Sequence, residues 1–167
     1  NEDSVRILRK SINGQLNKLS DQTKDTIARS LTALYNTNSV SVCNIILKDC
    51  LMSVCANSSQ IMAGLIPTYA AIIAALHFTV GTEVGAYIIE QIILSLNKAV
   101  FAKEDVLPSD SKSKDPSQSG LISDKIPVNV TLILVYLYNL RVLHHTLIID
   151  IMHELIKENI HPNSNSE

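Results

Sequence analysis

Apolar residues return at steps of three and four along almost the whole chain, and nowhere do they alternate with polar ones long enough to make a strand. That spacing is the period of one α-helical face, about 3.6 residues per turn, so the chain must bury itself as packed helices. Seven segments can be read. Val5, Leu8, Ile12, Leu16 and Leu19 mark the first, with Asp3 or Ser4 as its cap and Ser20 and Asp21 as its stop. The second runs to about Tyr35 with Ile27, Leu31 and Leu34 on one face, and Asn36–Ser39 turns the chain into a third from about Val40 to Ala56. After a break at Asn57–Gln60 and a lead-in turn at Ile61–Leu65, a fourth helix begins near Ile66, because Pro67 fits a first turn and not an interior. It ends near Thr79. Gly81 supplies a left-handed turn there, and Thr82 caps the fifth helix, Glu83–Phe101. Pro127 starts a sixth that stops at Asn139 and Arg141, and a seventh runs from about His144 to Asn159.

Between residues 102 and 125 the aliphatics give way to Ser, Asp, Lys, Pro and Gln, which reads as a disordered insertion. The organisation expected is therefore five helices in 1–101, the insertion in 102–125, two more helices of the same domain in 126–160, and a polar tail in 161–167. Helices of this length, paired by short turns at about 40 residues per pair, describe an all-α, HEAT-like stack of antiparallel helix pairs. Gly85 falls inside the fifth helix, where a close approach by a neighbouring helix would compensate its cost. Leu147, Ile148, Ile149, Ile151, Met152, Leu155 and Ile156 wrap more than half of the seventh helix, as if it were built to be covered on two sides. That wrap, the missing initiator Met and the polar tail Pro162–Glu167 read as an excised piece of something longer.

Several functions are set aside by the residues. Hydrophobic residues make up 46% of the chain, too many for general disorder, and the net charge of −2 argues against binding nucleic acid through phosphates alone. A basic bias is confined to the first thirty residues, at Arg6, Arg9, Lys10, Lys18, Lys24 and Arg29. Cys43, Cys50 and Cys55 sit in one apolar run without paired histidines, so they read as buried free thiols from a reducing compartment and not as a zinc site. No signal peptide opens the chain. Ile61–Val80 carries no charge over twenty residues, long enough to span a bilayer, yet Pro67, Thr68, His77 and Thr79 and its amphipathic neighbours mark the central helix of a stack. His144, His145, Asp150, His153 and Glu154 lack the helical zinc spacing and read as solvated surface groups; Glu83 and Glu90 read as a surface stripe. No nucleophile motif or phosphate-cradling loop is present, so no catalytic residue, metal or cofactor is expected.

With Leu16-Asn17-Lys18-Leu19 ending the first helix and Ser20 following it, the first two helices, Val5–Leu34, resemble the opening of the middle domain of eukaryotic initiation factor 4G. Two later stretches narrow the match. Leu76-His77-Phe78-Thr79-Val80-Gly81-Thr82-Glu83-Val84-Gly85-Ala86 and Tyr136-Leu137-Tyr138-Asn139-Leu140 are similar to the nucleolar branch of that superfamily, the proteins related to yeast suppressor of glycerol defect. The resemblance implies a right-handed stack of HEAT-like pairs that holds a DEAD-box RNA helicase of the initiation-factor-4A type. It assigns Asn17 and Lys18 to the contact with the helicase's C-terminal RecA-like lobe. A second half of the module would hold the other lobe, shifting the helicase towards a closed, ATP-competent state. It further implies a nucleolar or nuclear setting in small-subunit ribosomal RNA processing. The alternative is a repeat scaffold that holds other ribosome-assembly proteins or pre-ribosomal RNA with no helicase contact. In either case no membrane and no small-molecule substrate are involved. The residues support the first reading from below: Asn presents donors and an acceptor on a short arm, and Lys a mobile cation favoured beside a helix C-terminus.

Overall fold

The computed structural model describes residues 2–101 and 125–160, with the side chains of 99–101, 155 and 158–160 left aside. Seven helices account for them: α1 Glu2–Leu16, α2 Lys24–Thr37, α3 Val40–Cys55, α4 Ile66–Thr79, α5 Thr82–Phe101, α6 Ile126–Asn139 and α7 His145–Ile160. The 102–124 part of the expected insertion and the 161–167 tail lie outside the described residues.

The stack has two layers. α1, α3 and α5 lie side by side in one, α2, α4 and α6 in the other, and each helix also touches its partners across the layers. α4 is the centre. Ile66, Ile72, Ile73 and Leu76 are fully buried, and α2, α3, α5 and α6 surround the helix. Each such side chain contributes about 2 kcal/mol by leaving water, and together they make this uncharged segment a core element. A 14-residue helix spans only about 21 Å, short of a bilayer's hydrocarbon core. No helix among the described residues is long and apolar enough to cross a membrane.

The proline starts hold: Pro67 and Pro127 sit in the first turns of α4 and α6. Several local expectations do not. α1 ends at Leu16, three residues before Leu19, yet Leu19 still turns its side chain into the core at 7% exposure. Asp3 and Ser4 lie inside α1 instead of capping it, and Thr82 is the first residue of α5. Gly81 does not adopt a left-handed conformation; the positive φ among the described residues belongs to Arg141, at 60°. The reason is local. The N–H groups of Val80 and Gly81 both reach back to the Leu76 carbonyl, so α4 closes without a reversal, whereas the α6–α7 turn bends back sharply enough for Val142 and Leu143 N–H to reach Leu137 O.

The close approach expected at Gly85 is present. A Cβ there would stand 2.3 Å from His77 Nδ1 and 2.9 Å from Val142 Cγ1. α4, α5 and the α6–α7 turn therefore meet at this end of the stack.

At the other end stands Asn129, which no spacing or motif singled out. Fully buried in α6, it accepts from Met62 N–H through Oδ1 at 2.9 Å and donates through Nδ2 to the carbonyls of Asn57 (3.1 Å) and Gln60 (3.0 Å). Lys125 N–H adds a bond to Ser58 O at 3.0 Å, so the start of α6 is bolted to the α3–α4 corner. α7 stands apart from this order. Among the described residues it packs on α6 alone; Leu147, Ile148 and Ile151 turn to the core, and Ile149, Met152 and Ile156 are left about half exposed. A helix wrapped in apolar residues is thus half used.

Candidate partner-binding site

α1 ends by tightening. Asn17 N–H closes the last α-turn on Asn13 O (2.8 Å), then Lys18 and Leu19 N–H bond three residues back to Gln15 O and Leu16 O, both at 3.0 Å. Burial of Leu19 and Leu16 anchors the corner from beneath. Thr23 locks it from the far side. Its hydroxyl donates to the Lys18 carbonyl at 2.7 Å and accepts from Ser20 N–H at 2.9 Å, while Ser20 Oγ accepts from Thr23 N–H at 3.3 Å. This reciprocal pair satisfies backbone groups that a helix end leaves open. Asp21 and Lys24 add an exposed ion pair over it, and the bonded carboxylate raises the Lys24 pKa.

A fixed backbone here presents two side chains. Asn17 and Lys18 are both exposed, and among the described residues neither side chain has a hydrogen-bond or ionic partner. The sequence-derived site residues are therefore neighbours on one rigid corner, aimed at solvent. The Lys18 ammonium sits just past the α1 C-terminus, where the helix dipole favours a cation.

The corner is also held in place relative to the second helix pair. Arg9 reaches from α1 to Asp49 of α3 at 2.9 Å, and Lys48 binds the other carboxylate oxygen at 2.7 Å. These bonds, Lys48 first and then Arg9, hold the Asp49 carboxyl below its usual range against a partial desolvation that opposes them. Deeper in, Tyr35 donates to Asn44 Oδ1 at 3.0 Å, and burial pushes its phenol well above the usual value.

The remaining candidates stay silent. Cys43 and Cys55 are buried, and burial raises both thiols, Cys55 to about 11. Cys50 is half-buried and donates to Asn13 Oδ1 at 3.1 Å. None is a thiolate nucleophile near neutral pH. His144 and His145 are exposed, with ring centroids 4.0 Å apart and His144 Nδ1 bonded to Thr146 Oγ1, and no metal-binding cluster of His, Cys, Asp and Glu forms among the described residues. One feature escaped the sequence: a groove of ≈ 640 Å³ between α5 and the α6–α7 turn, with Ala86, Ile93 and Leu147 on its walls and Glu83 and Glu90 beside them. It exists because α7 does not close against α5, which no periodicity reports.

Residues 9–167 match the model of the MIF4G domain. The chain belongs to the MIF4G-domain family. Its relatives include nucleolar MIF4G domain-containing protein 1 of Homo sapiens, 28% identical over 93% of this chain, and of Mus musculus, 30% identical over 89%. Suppressor of glycerol defect protein 1 of Saccharomyces cerevisiae is 28% identical over 91%. These matches cover 16%, 15% and 16% of the respective relatives, so the MIF4G chain spans about a sixth of their length. No solved structure gives a significant match. The names place this MIF4G chain in the nucleolar branch of the family, with a nucleolar or nuclear location. MIF4G domains are in general scaffolds for other proteins. Domains of this family are in general not catalytic.

Proposed function

We propose that this chain is a non-catalytic scaffold that grips a DEAD-box RNA helicase of the initiation-factor-4A type in small-subunit ribosomal RNA processing. The anchor is the α1–α2 corner, with Asn17 and Lys18 on the helicase's C-terminal RecA-like lobe. One observation carries the reading: the corner spends its internal hydrogen bonds on holding its own backbone, and leaves these two side chains without a partner among the described residues. A partner that supplies a carboxylate to Lys18 and a main-chain group to Asn17 meets a surface already in position, so little ordering entropy is lost on binding. In a longer module a second anchor would hold the other lobe, and the pair would favour the closed helicase.

The test is titration of the chain against a purified C-terminal lobe, beside the double change Asn17→Ala and Lys18→Ala. Binding weakened tenfold or more, about 1.4 kcal/mol, with the helical content unchanged, is the expected result. Saturable binding that ignores the double change moves the site elsewhere. Absence of binding at high micromolar concentration favours the alternative, a scaffold for other ribosome-assembly proteins or RNA, for which the acidic-rimmed groove beside α5 is the available surface.

A further inference from the structure

Two glycines lie inside long helices, and the structure explains only one of them. Gly85 of α5 is where His77 and Val142 press against the helix backbone, so a side chain there has no room. Gly14 of α1 is the opposite case. A Cβ at Gly14 would meet nothing within 4 Å, and its φ is ordinary for a helix. Glycine weakens a helix relative to alanine, and nothing among the described residues compensates Gly14. Its surroundings are specific, however. Lys10 lies one turn before it and Asn17 one turn after it, so all three share the outer face of α1, with Lys18 beside them at the corner. All four residues are exposed, and among the described residues Lys10, like Lys18, has no ionic partner. The other cations of α1 are occupied: Arg9 is turned aside to Asp49, and Arg6 is paired with Asp3 at 3.5 Å.

We propose that the outer face of α1, from Lys10 across Gly14 to Asn17 and Lys18, is one docking surface on which an acidic segment of the partner lays its main chain against the bare backbone at Gly14. The proposal rests on the helicase reading above and extends it from a corner to a strip about two turns long. A side-chain-free position lets a neighbour come closer to the helix than any other residue allows, as the side chains of His77 and Val142 do at Gly85. Lys10 and Lys18 flank that point as two uncompensated cations, which fits carboxylates on either side of the approaching segment. A protein fits better than RNA. Two free lysines on a chain of net charge −2 make a poor phosphate track, whereas a close main-chain contact is what a protein segment needs.

The experiment measures two quantities for the full chain and its Gly14→Ala, Gly14→Gln and Lys10→Glu variants: thermal stability, and affinity for the purified helicase C-terminal lobe. Gly14→Ala is expected to raise the melting temperature by roughly 2–4 °C while weakening lobe binding several-fold. Gly14→Gln and Lys10→Glu should each weaken binding about tenfold or more. This opposition of sign, a more stable helix that binds worse, is one that a merely structural glycine does not produce. Wild-type affinity in both Gly14 variants overturns the strip, and the helicase reading then stands or falls separately on Asn17 and Lys18. A wild-type chain that does not bind the lobe sinks both. If Lys10→Glu instead abolishes binding of a single-stranded oligonucleotide and spares the lobe, the face belongs to RNA and the proposal is wrong.

Discussion

At Asn129 one amide satisfies three backbone groups of a corner that precedes it by almost seventy residues. Buried donors and acceptors left alone cost about 1–3 kcal/mol each, so Asn129→Ala should lose roughly 2–4 kcal/mol, read as a lowered urea midpoint with an unchanged slope. Gly85→Ala tests the opposite kind of constraint. The helix-propensity gain is at most about 1 kcal/mol, while a Cβ at 2.3 Å from His77 Nδ1 must displace the packed His77 and Val142 side chains, so net destabilisation of about 1–3 kcal/mol is expected in the same assay. Neither residue is equally legible in the sequence. Gly85 could be read because glycine inside a helical pattern demands a reason. Asn129 could not, because a buried asparagine and a surface one look alike until the loop that needs them is in place. The same limit explains Gly81 and Arg141: glycine marks where a left-handed turn is cheap, but the direction in which the next helix must leave decides where it occurs.

The helices themselves are readable to within about three residues, since Pro67 and Pro127 fix two starts and the three-and-four spacing fixes the faces. The corner at Asn17–Thr23 was readable only as a pair of exposed residues. Its rigidity comes from Thr23, whose role depends on a bond back to Lys18 O that no spacing announces. Thr23→Val keeps the shape and removes that donor. It should cost about 1 kcal/mol in stability and speed amide exchange at Ser20, whose N–H loses its acceptor. The α1–α3 clamp predicts a pH dependence. The Asp49 carboxyl is held below its usual value in the folded chain, so its stabilisation is present above the unfolded-state value, about 3.9, and is lost as pH falls through the lower folded value. Melting temperatures of the wild type and Asp49→Asn should differ at pH 7 and converge in strong acid. The gap should be small, because both Arg9 and Asp49 are more than a third exposed and solvent screens them.

Across the whole molecule the two layers run in regular order through α6, and only α7 departs from it. Sequence pattern made the apolar wrap of α7 plain, but its seat was not, because a helix with apolar residues all round has no single preferred side. Its outward Ile149, Met152 and Ile156 should promote self-association at high protein concentration, and Ile156→Lys should reduce it in sedimentation velocity runs without changing the melting temperature. The bolting of α6 has a different consequence. Residue 125 is fastened to Ser58, and α6 is seated against α4 and α5, by contacts that owe nothing to the covalent path from residue 101. Two separately encoded pieces, 1–101 and 125–167, should find each other and rebuild the stack, which would make this module divisible into a reporter pair whose reassembly can be placed under external control.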